Sequence, residues 1–304
     1  MIRQAFLEAL RAEMPQLDWQ TDVPMSRYTT LRVGGPADCL AEPDSEDEPG
    51  MLLRLAERFR VPVTVIGNGS NLLVRDGGVR GLVIRFGRSF SACGVSGETI
   101  AAQSGILLSD LARHAADAGL AGLEFASGIP GSLGGAVVMN AGAYGGEIAQ
   151  VIESAEVLGG GRISTLDRDA LALSYRHSRL QDTGELALSA RFRLTRDDPE
   201  AIRARMAELK IRRLEKQPLN LPSAGSFFKR PAGAYAAQLI DEAGLKGCRV
   251  GGAMVSEKHA GFLVNAGGAT AADFLALMCR VQETVYKNSG FRLDPEVRII
   301  GEDA

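Results

Sequence analysis

Apolar side chains recur at helical spacing over residues 51–59, where Met51, Leu52, Leu55, Ala56 and Phe59 predict a helix with one buried face. A short apolar run, Val61-Pro62-Val63-Thr64-Val65-Ile66, predicts a strand, and Gly81-Leu82-Val83-Ile84-Arg85-Phe86 predicts another. From about 87 to 194 the pattern is one of short strands and glycine turns. A single helix interrupts it, from Ser109 to Ala118, closed by Gly119. Asp198 as cap and Pro199 in the first turn then start a helix on which Ile202, Met206 and Leu209 share a face. Later helices are predicted from Ala234 to Ala243, ended by Gly244, and from Ala271 to Tyr286. The second of these opens with a capping box, Thr270-Ala271-Ala272-Asp273. Its stripe of Phe274, Leu277, Met278, Val281 and Val285 belongs to a core. A strand from Val297 to Ile300 closes the pattern. The acidic run from Glu42 to Glu48 reads as a solvated loop, and there is no internal repeat.

These elements predict an α+β protein in three parts, 1–86, 87–195 and 196–294, with a strand within 295–304 returning to the first part. The 304 residues are enough to bury a large core, and 45% hydrophobic with 23% charged residues is ordinary for a soluble enzyme. A net charge of −3 gives no pull toward nucleic acid or a membrane surface, and no apolar stretch approaches spanning length. Glu8 and Glu13 interrupt the N-terminal stretch where a signal peptide needs a continuous apolar run, so a cytoplasmic location is expected. Cys39, Cys93, Cys248 and Cys279 are scattered, as reduced thiols are. His114, His177 and His259 lack metal-ligand spacing, and no metal is expected.

The chemistry concentrates in two glycine-rich loops. One is Gly67-Asn68-Gly69-Ser70-Asn71. The other runs from Gly128-Ile129-Pro130-Gly131-Ser132 through Gly134 and Gly135 to Met139-Asn140-Ala141-Gly142-Ala143-Tyr144. Glycine lets the backbone approach a ligand and aim N–H groups at it, and the interleaved Ser and Asn side chains add donors for phosphate oxygens. Two such loops suit a pyrophosphate-containing ligand; either alone also reads as turn glycines. A Rossmann site is disfavoured, because Leu72 stands where the third glycine of that fingerprint belongs and a strand, not a helix, follows.

Other residues add candidate chemistry. Ser226 lies in Ala224-Gly225-Ser226-Phe227-Phe228-Lys229-Arg230 without the surroundings of a nucleophile elbow, so it suits proton donation or is a plain strand-edge serine. Arg176, beside Tyr175 and His177, offers a guanidinium fork for a carboxylate or phosphate, or is a surface arginine. His177 suits a base or, better, a structural histidine. Asp294-Pro295-Glu296-Val297 sets a carboxylate at the mouth of the last strand, or is an ordinary acidic turn. Arg203, Arg205, Lys210, Arg212 and Arg213 read largely as a solvated helix face, whereas Lys216 and Lys229 are better placed for an anionic substrate.

Taken together these motifs resemble the UDP-N-acetylenolpyruvoylglucosamine reductase family of flavoenzymes in peptidoglycan synthesis. The resemblance runs from Tyr28-Thr29-Thr30-Leu31-Arg32-Val33-Gly34-Gly35 to Pro295-Glu296-Val297. It includes both glycine loops, Gly225-Ser226-Phe227-Phe228-Lys229, and Gly251-Gly252-Ala253 with Ser256-Glu257-Lys258-His259-Ala260-Gly261-Phe262. It implies a two-part FAD-binding fold of the vanillyl-alcohol-oxidase type over the first two parts, plus a C-terminal α/β substrate-binding domain. FAD would lie between the loops, held by Gly67, Asn68, Gly69, Ser70, Asn71, Gly128, Pro130, Gly131, Ser132 and Gly134. NADPH would reduce the flavin, N5 would deliver hydride to the enolpyruvyl methylene carbon of a UDP-sugar, and a proton would go to the neighbouring carbon. The family's proton donor maps onto Ser226, and its arginine and glutamate at the substrate carboxylate map onto Arg176 and Glu296. Lys216, Lys229 and Arg230 would contact the substrate, although Arg230 stands where many relatives have Asn. The short interval from Arg176 to Ser226 resembles the branch of the family without a substrate-covering tyrosine loop. No cysteine or histidine pattern marks covalent flavin attachment, so FAD is expected to be non-covalent. Two other readings are a same-fold flavin oxidase acting on a small alcohol or sugar and a catalytically silent nucleotide-binding module. The set of Ser226, Arg176 and Glu296 disfavours both.

Overall fold

The computed structural model describes residues 2 and 4–304, and it divides into two compact units. Of the N-terminal stretch read above for a signal sequence, residues 1 and 3 lie outside the described residues. The first unit takes in the chain up to Thr21, Cys39–Asn68 and Gly81–Arg213; the second takes in Asp22–Asp38, Gly69–Arg80 and Leu214–Ala304.

A four-stranded sheet runs in the order Asp18–Pro24, Pro36–Glu42, Val79–Arg85, Val63–Ile66. Helices Gln4–Glu13 and Glu48–Phe59 pack on it through a core that includes Phe6, Leu10, Leu52, Leu55, Cys39 and Leu82. The second helix begins three residues before the predicted Met51, because Glu48 and Pro49 both suit a first turn. It ends where Arg60 turns left-handed (φ 53°). The helix Gln4–Glu13 is additional to the predicted set, since only Phe6 and Leu10 are fully buried on its inner face. The acidic run is solvated in its middle, but Glu42 pairs with Arg85 at 2.7 Å and Glu48 accepts from the Asp44 N–H.

The rest of the first unit is built on a five-stranded antiparallel sheet. Its order is Arg162–Asp167, Ile152–Gly159, Leu186–Arg193, Thr99–Gln103, Cys93–Ser96. Helices Leu108–Asp117 and Leu133–Val138 share a core with it that includes Ile100, Leu111, Leu133, Val157 and Phe192. Gly119 (φ 66°) closes the first of these helices as expected. The long helix Pro199–Lys216 starts at Asp198, whose carboxylate accepts from the Glu200 N–H at 3.1 Å. It buries Ile202, half-buries Met206 and Leu209, and is otherwise mostly exposed.

The second unit holds an antiparallel sheet ordered Ser223–Ser226, Phe262–Asn265, Ala253–Val255, Arg249–Val250. Helices Ala236–Glu242 and Ala271–Ser289 share its core, where the Phe227 and Phe274 rings stack at 6.3 Å. The first is shorter than predicted because Tyr235 is extended (φ −115°, ψ 122°). The second has both bonds of the predicted capping box, between Thr270 and Asp273. Bonds from the Thr270 and Gly252 N–H groups hold the Asp273 carboxyl below the usual carboxylate range. The Asp76 carboxylate adds two more caps, accepting from the Ala271 and Ala272 N–H groups at 2.8 Å each. Strand Leu72–Val74, directly after the first glycine loop, pairs in parallel with Arg298–Ile300. No helix among the described residues is long and apolar enough to cross a membrane.

Candidate active site

The two glycine loops, far apart in sequence, meet in the first unit. The Asn68 N–H donates to Ser132 Oγ at 3.2 Å, and the Asn68 side-chain amide donates to the Pro130 carbonyl. A Cβ on Gly67 would stand 2.1 Å from Ser132 Oγ, so a larger residue there displaces the hydroxyl that accepts from the Asn68 N–H. The second loop is fixed from below: the Leu108 N–H donates to Gly131 O at 3.0 Å, and Gly134 N–H donates to Ser104 O at 2.9 Å. The N–H groups of Gly131 and Ser132 have no partner among the described residues, and Ser132 is buried. Backbone donors left over beside a glycine cradle suit the anionic oxygens of a pyrophosphate.

Gly69, Ser70 and Asn71 fall in the second unit. Gly69 is left-handed (φ 63°), and a Cβ there would lie 1.9 Å from the Tyr28 carbonyl oxygen. A substitution at Gly69 therefore disturbs backbone packing before it reaches any ligand. The Asn71 amide donates to the Glu296 carbonyl at 3.1 Å.

Arg176 sits on a tight turn in the first unit, closed by reciprocal backbone bonds between Ser174 and His177. Its guanidinium donates to Gly142 O at 3.2 Å and lies 5.1 Å from the centre of the Tyr175 ring. His177 contacts Asp182 at 3.2 Å, in keeping with a structural role.

Ser226 and Glu296 are brought together in the second unit. Gly225 is left-handed (φ 77°) at a bulge between the pairs Ser223–Val264 and Ser226–Phe262, which re-aims the exposed Ser226. The Glu296 N–H donates to Phe227 O at 2.9 Å, and the Lys229 N–H donates to Asp294 O at 2.8 Å. Two buried phenylalanines, Phe227 and Phe228, anchor this pairing. Lys229 stands beside it and is exposed; Lys216, at the end of its helix, is also exposed. The Arg230 guanidinium lies 4.4 Å from the centre of the Tyr235 ring. A cavity of about 460 Å³ in the same unit is lined in part by Gln217, Asn220, Ser256 and Lys258.

One part of the basic cluster departs from the solvated face expected of it. Arg203 pairs with Asp117 at 2.9 Å, both exposed, and the exposed Arg205 pairs with the half-buried Glu124 at 2.8 Å. Arg213 instead packs against the second glycine loop, where a Cβ on Gly128 would be 2.7 Å from its Nη1. Burial pushes its pKa down, and the Tyr144 phenol acts in the opposite direction. The signal for this was present, since Arg213 continues the row of Ile202, Met206 and Leu209 at helical spacing.

Joined glycine loops with free backbone donors suit a pyrophosphate, and similarity to known proteins makes the class a flavin-dependent oxidoreductase. Residues 37–167 match the family model described as an FAD binding domain. Residues 217–300 match that described as UDP-N-acetylenolpyruvoylglucosamine reductase, C-terminal domain. A UDP-N-acetylenolpyruvoylglucosamine reductase of Agathobacter rectalis is 52% identical over 99% of this chain and 100% of its own length. One of Latilactobacillus sakei is 51% identical over 98% of this chain and 97% of its own length. A crystal structure of UDP-N-acetylenolpyruvylglucosamine reductase from Thermus caldophilus has a TM-score of 0.80 at 39% identity, covering 93% of this chain and 98% of that one. The chain belongs to the UDP-N-acetylenolpyruvoylglucosamine reductase family.

Proposed function

We propose that this chain reduces UDP-N-acetylenolpyruvoylglucosamine to UDP-N-acetylmuramate in the cytoplasm, with non-covalent FAD and with NADPH as reductant. The product feeds peptidoglycan synthesis, and through it cell-wall growth, cell shape and division. The observation that carries the reading is the backbone pairing of the Ser226 strand with the Glu296 segment, which joins the two stretches of chain assigned here as proton donor and carboxyl.

When bound and reduced by NADPH, FAD would supply hydride chemistry toward the enolpyruvyl methylene carbon. The chain's residues meet the consequences. Addition builds negative charge onto the substrate carboxylate, and the Arg176 fork and a protonated Glu296 stabilise it. Ser226 Oγ gives its proton to the neighbouring carbon and recovers one from solvent. The loop residues Gly67, Asn68, Gly69, Ser70 and Asn71, with Gly128, Pro130, Gly131, Ser132 and Gly134, hold the cofactor. Lys216, Lys229 and Arg230 face the anionic substrate; Arg230, stacked on Tyr235, offers a flat cationic surface rather than the amide common at its position. In this reading 1–86 and 87–195 are two flavin-binding subdomains and 196–294 the substrate domain; separate cores around Leu52 and Leu133 favour the first division, whereas Leu31, Val33 and Leu73 pack in the core of the second unit.

The purified protein should be yellow, release intact FAD on denaturation, bleach with NADPH and regain colour on adding the enolpyruvyl sugar nucleotide. Bleaching without recovery would remove this substrate from the reading. Gly67→Ala should weaken FAD binding by about tenfold or more, equivalent to about 1.4 kcal/mol, because its methyl group forces Asn68 and Ser132 apart. Fluorescence titration of the apoprotein measures this, and unchanged affinity would free the loop junction from any part in binding.

A further inference from the structure

We infer that Asn140 and Gln181 are positioning residues for Arg176, clamping the turn that carries it onto the end of the second glycine stretch. The inference rests on the assignment of Arg176 to the substrate carboxylate made above.

Asn140 is fully buried and left-handed (φ 41°). Its Nδ2 donates to Ser174 O at 3.0 Å, and its Oδ1 accepts from the Ala149 N–H at 2.9 Å. Asparagine tolerates that backbone, and its amide both donates and accepts. Gln181 Nε2 donates to Val138 O at 2.8 Å and to the carbonyl of Arg176 itself at 3.0 Å. Facing two carbonyls fixes the orientation of that amide. Ser178 Oγ also donates to Val138 O, at 2.8 Å. Val138 ends the helix that starts just after Ser132, so the turn is tied to the same short element that carries the cofactor loop. Arg176 is itself left-handed (φ 56°), a conformation that an arginine keeps only when its surroundings impose it. The bonds at Ser174 O and Arg176 O restrain that residue from both sides.

The test is a double-mutant cycle on the holoenzyme with Gln181→Met, which keeps length and removes both donors. Stopped-flow reoxidation of the reduced enzyme by the enolpyruvyl sugar nucleotide should slow on the order of 10²-fold, the effect of displacing a charge-stabilising group by about 1 Å. Reduction by NADPH should be unchanged. In the Arg176→Ala background the same substitution should alter reoxidation less than about twofold, because the group being positioned is gone. In the apoprotein, amide exchange over 174–179 should quicken in Gln181→Met without a general rise elsewhere. Equal slowing in both backgrounds overturns the clamp. Normal reoxidation in Arg176→Ala alone overturns the assignment of Arg176, and the role of Gln181 falls with it. If Gln181→Met fails to fold, Gln181→Asn, too short to reach both carbonyls, carries the same comparison.

Discussion

Ser226→Ala is expected to leave reduction of the flavin by NADPH at its normal rate and to slow reoxidation by the enolpyruvyl substrate about 10²–10⁴-fold, the range for a positioned general acid. The two half-reactions separate because only the second needs a proton at carbon. Local structure makes alanine a clean replacement. The Ser226 side chain is exposed beyond the Gly225 bulge, while Phe227 and Phe228 hold the strand from the buried side. Loss of the hydroxyl should therefore leave the fold and the Glu296 segment in place. Stopped-flow absorbance of each half-reaction measures the split, and normal rates in both would remove Ser226 from the chemistry.

Arg176→Ala and Glu296→Ala should each lower turnover by at least about 10²–10³, the usual worth of a donor aimed at developing negative charge. Turnover should fall more than substrate binding, because the interaction strengthens as the charge forms. Glu296→Gln should be milder than Glu296→Ala, since an amide still donates a hydrogen bond as a protonated carboxyl does. The Glu296 backbone is held by Phe227 O and by the Asn71 amide, so these variants change the side chain without releasing the segment. If Gln proves as damaging as Ala, Glu296 works ionised. Near-normal turnover in Glu296→Ala would end its catalytic assignment.

The sequence reading succeeds where the signal is local. The capping box at Thr270, the stripe from Phe274 to Val285 and the cap at Asp198 each report on residues within a turn or two, and each is present in the fold. It fails at helix Gln4–Glu13, where the buried face is too sparse to set a period. Pairings between distant segments leave no local mark. Nothing in the order of residues says that Asn68 bonds to Ser132, or that Glu296 bonds to Phe227. The glycine loops read as phosphate-binding material by residue type, but their junction is a property of the folded sheets beneath them. Arg213 departs from the largely solvated face of its cluster for a related reason: its place in an apolar row outweighs its charge.

The parallel pairing of Leu72–Val74 with Arg298–Ile300, and the caps that Asp76 places on helix Ala271–Ser289, bear on the order of synthesis. The segment Gly69–Arg80 leaves the ribosome well before its partners, the nearer of which lies 195 residues further along the chain. At ordinary elongation rates that interval is on the order of ten seconds or more. During it the first glycine loop is followed by a strand with no neighbour and a carboxylate with no helix to cap. The second unit can close only once residues 271–300 have been made, so its assembly waits on that later segment.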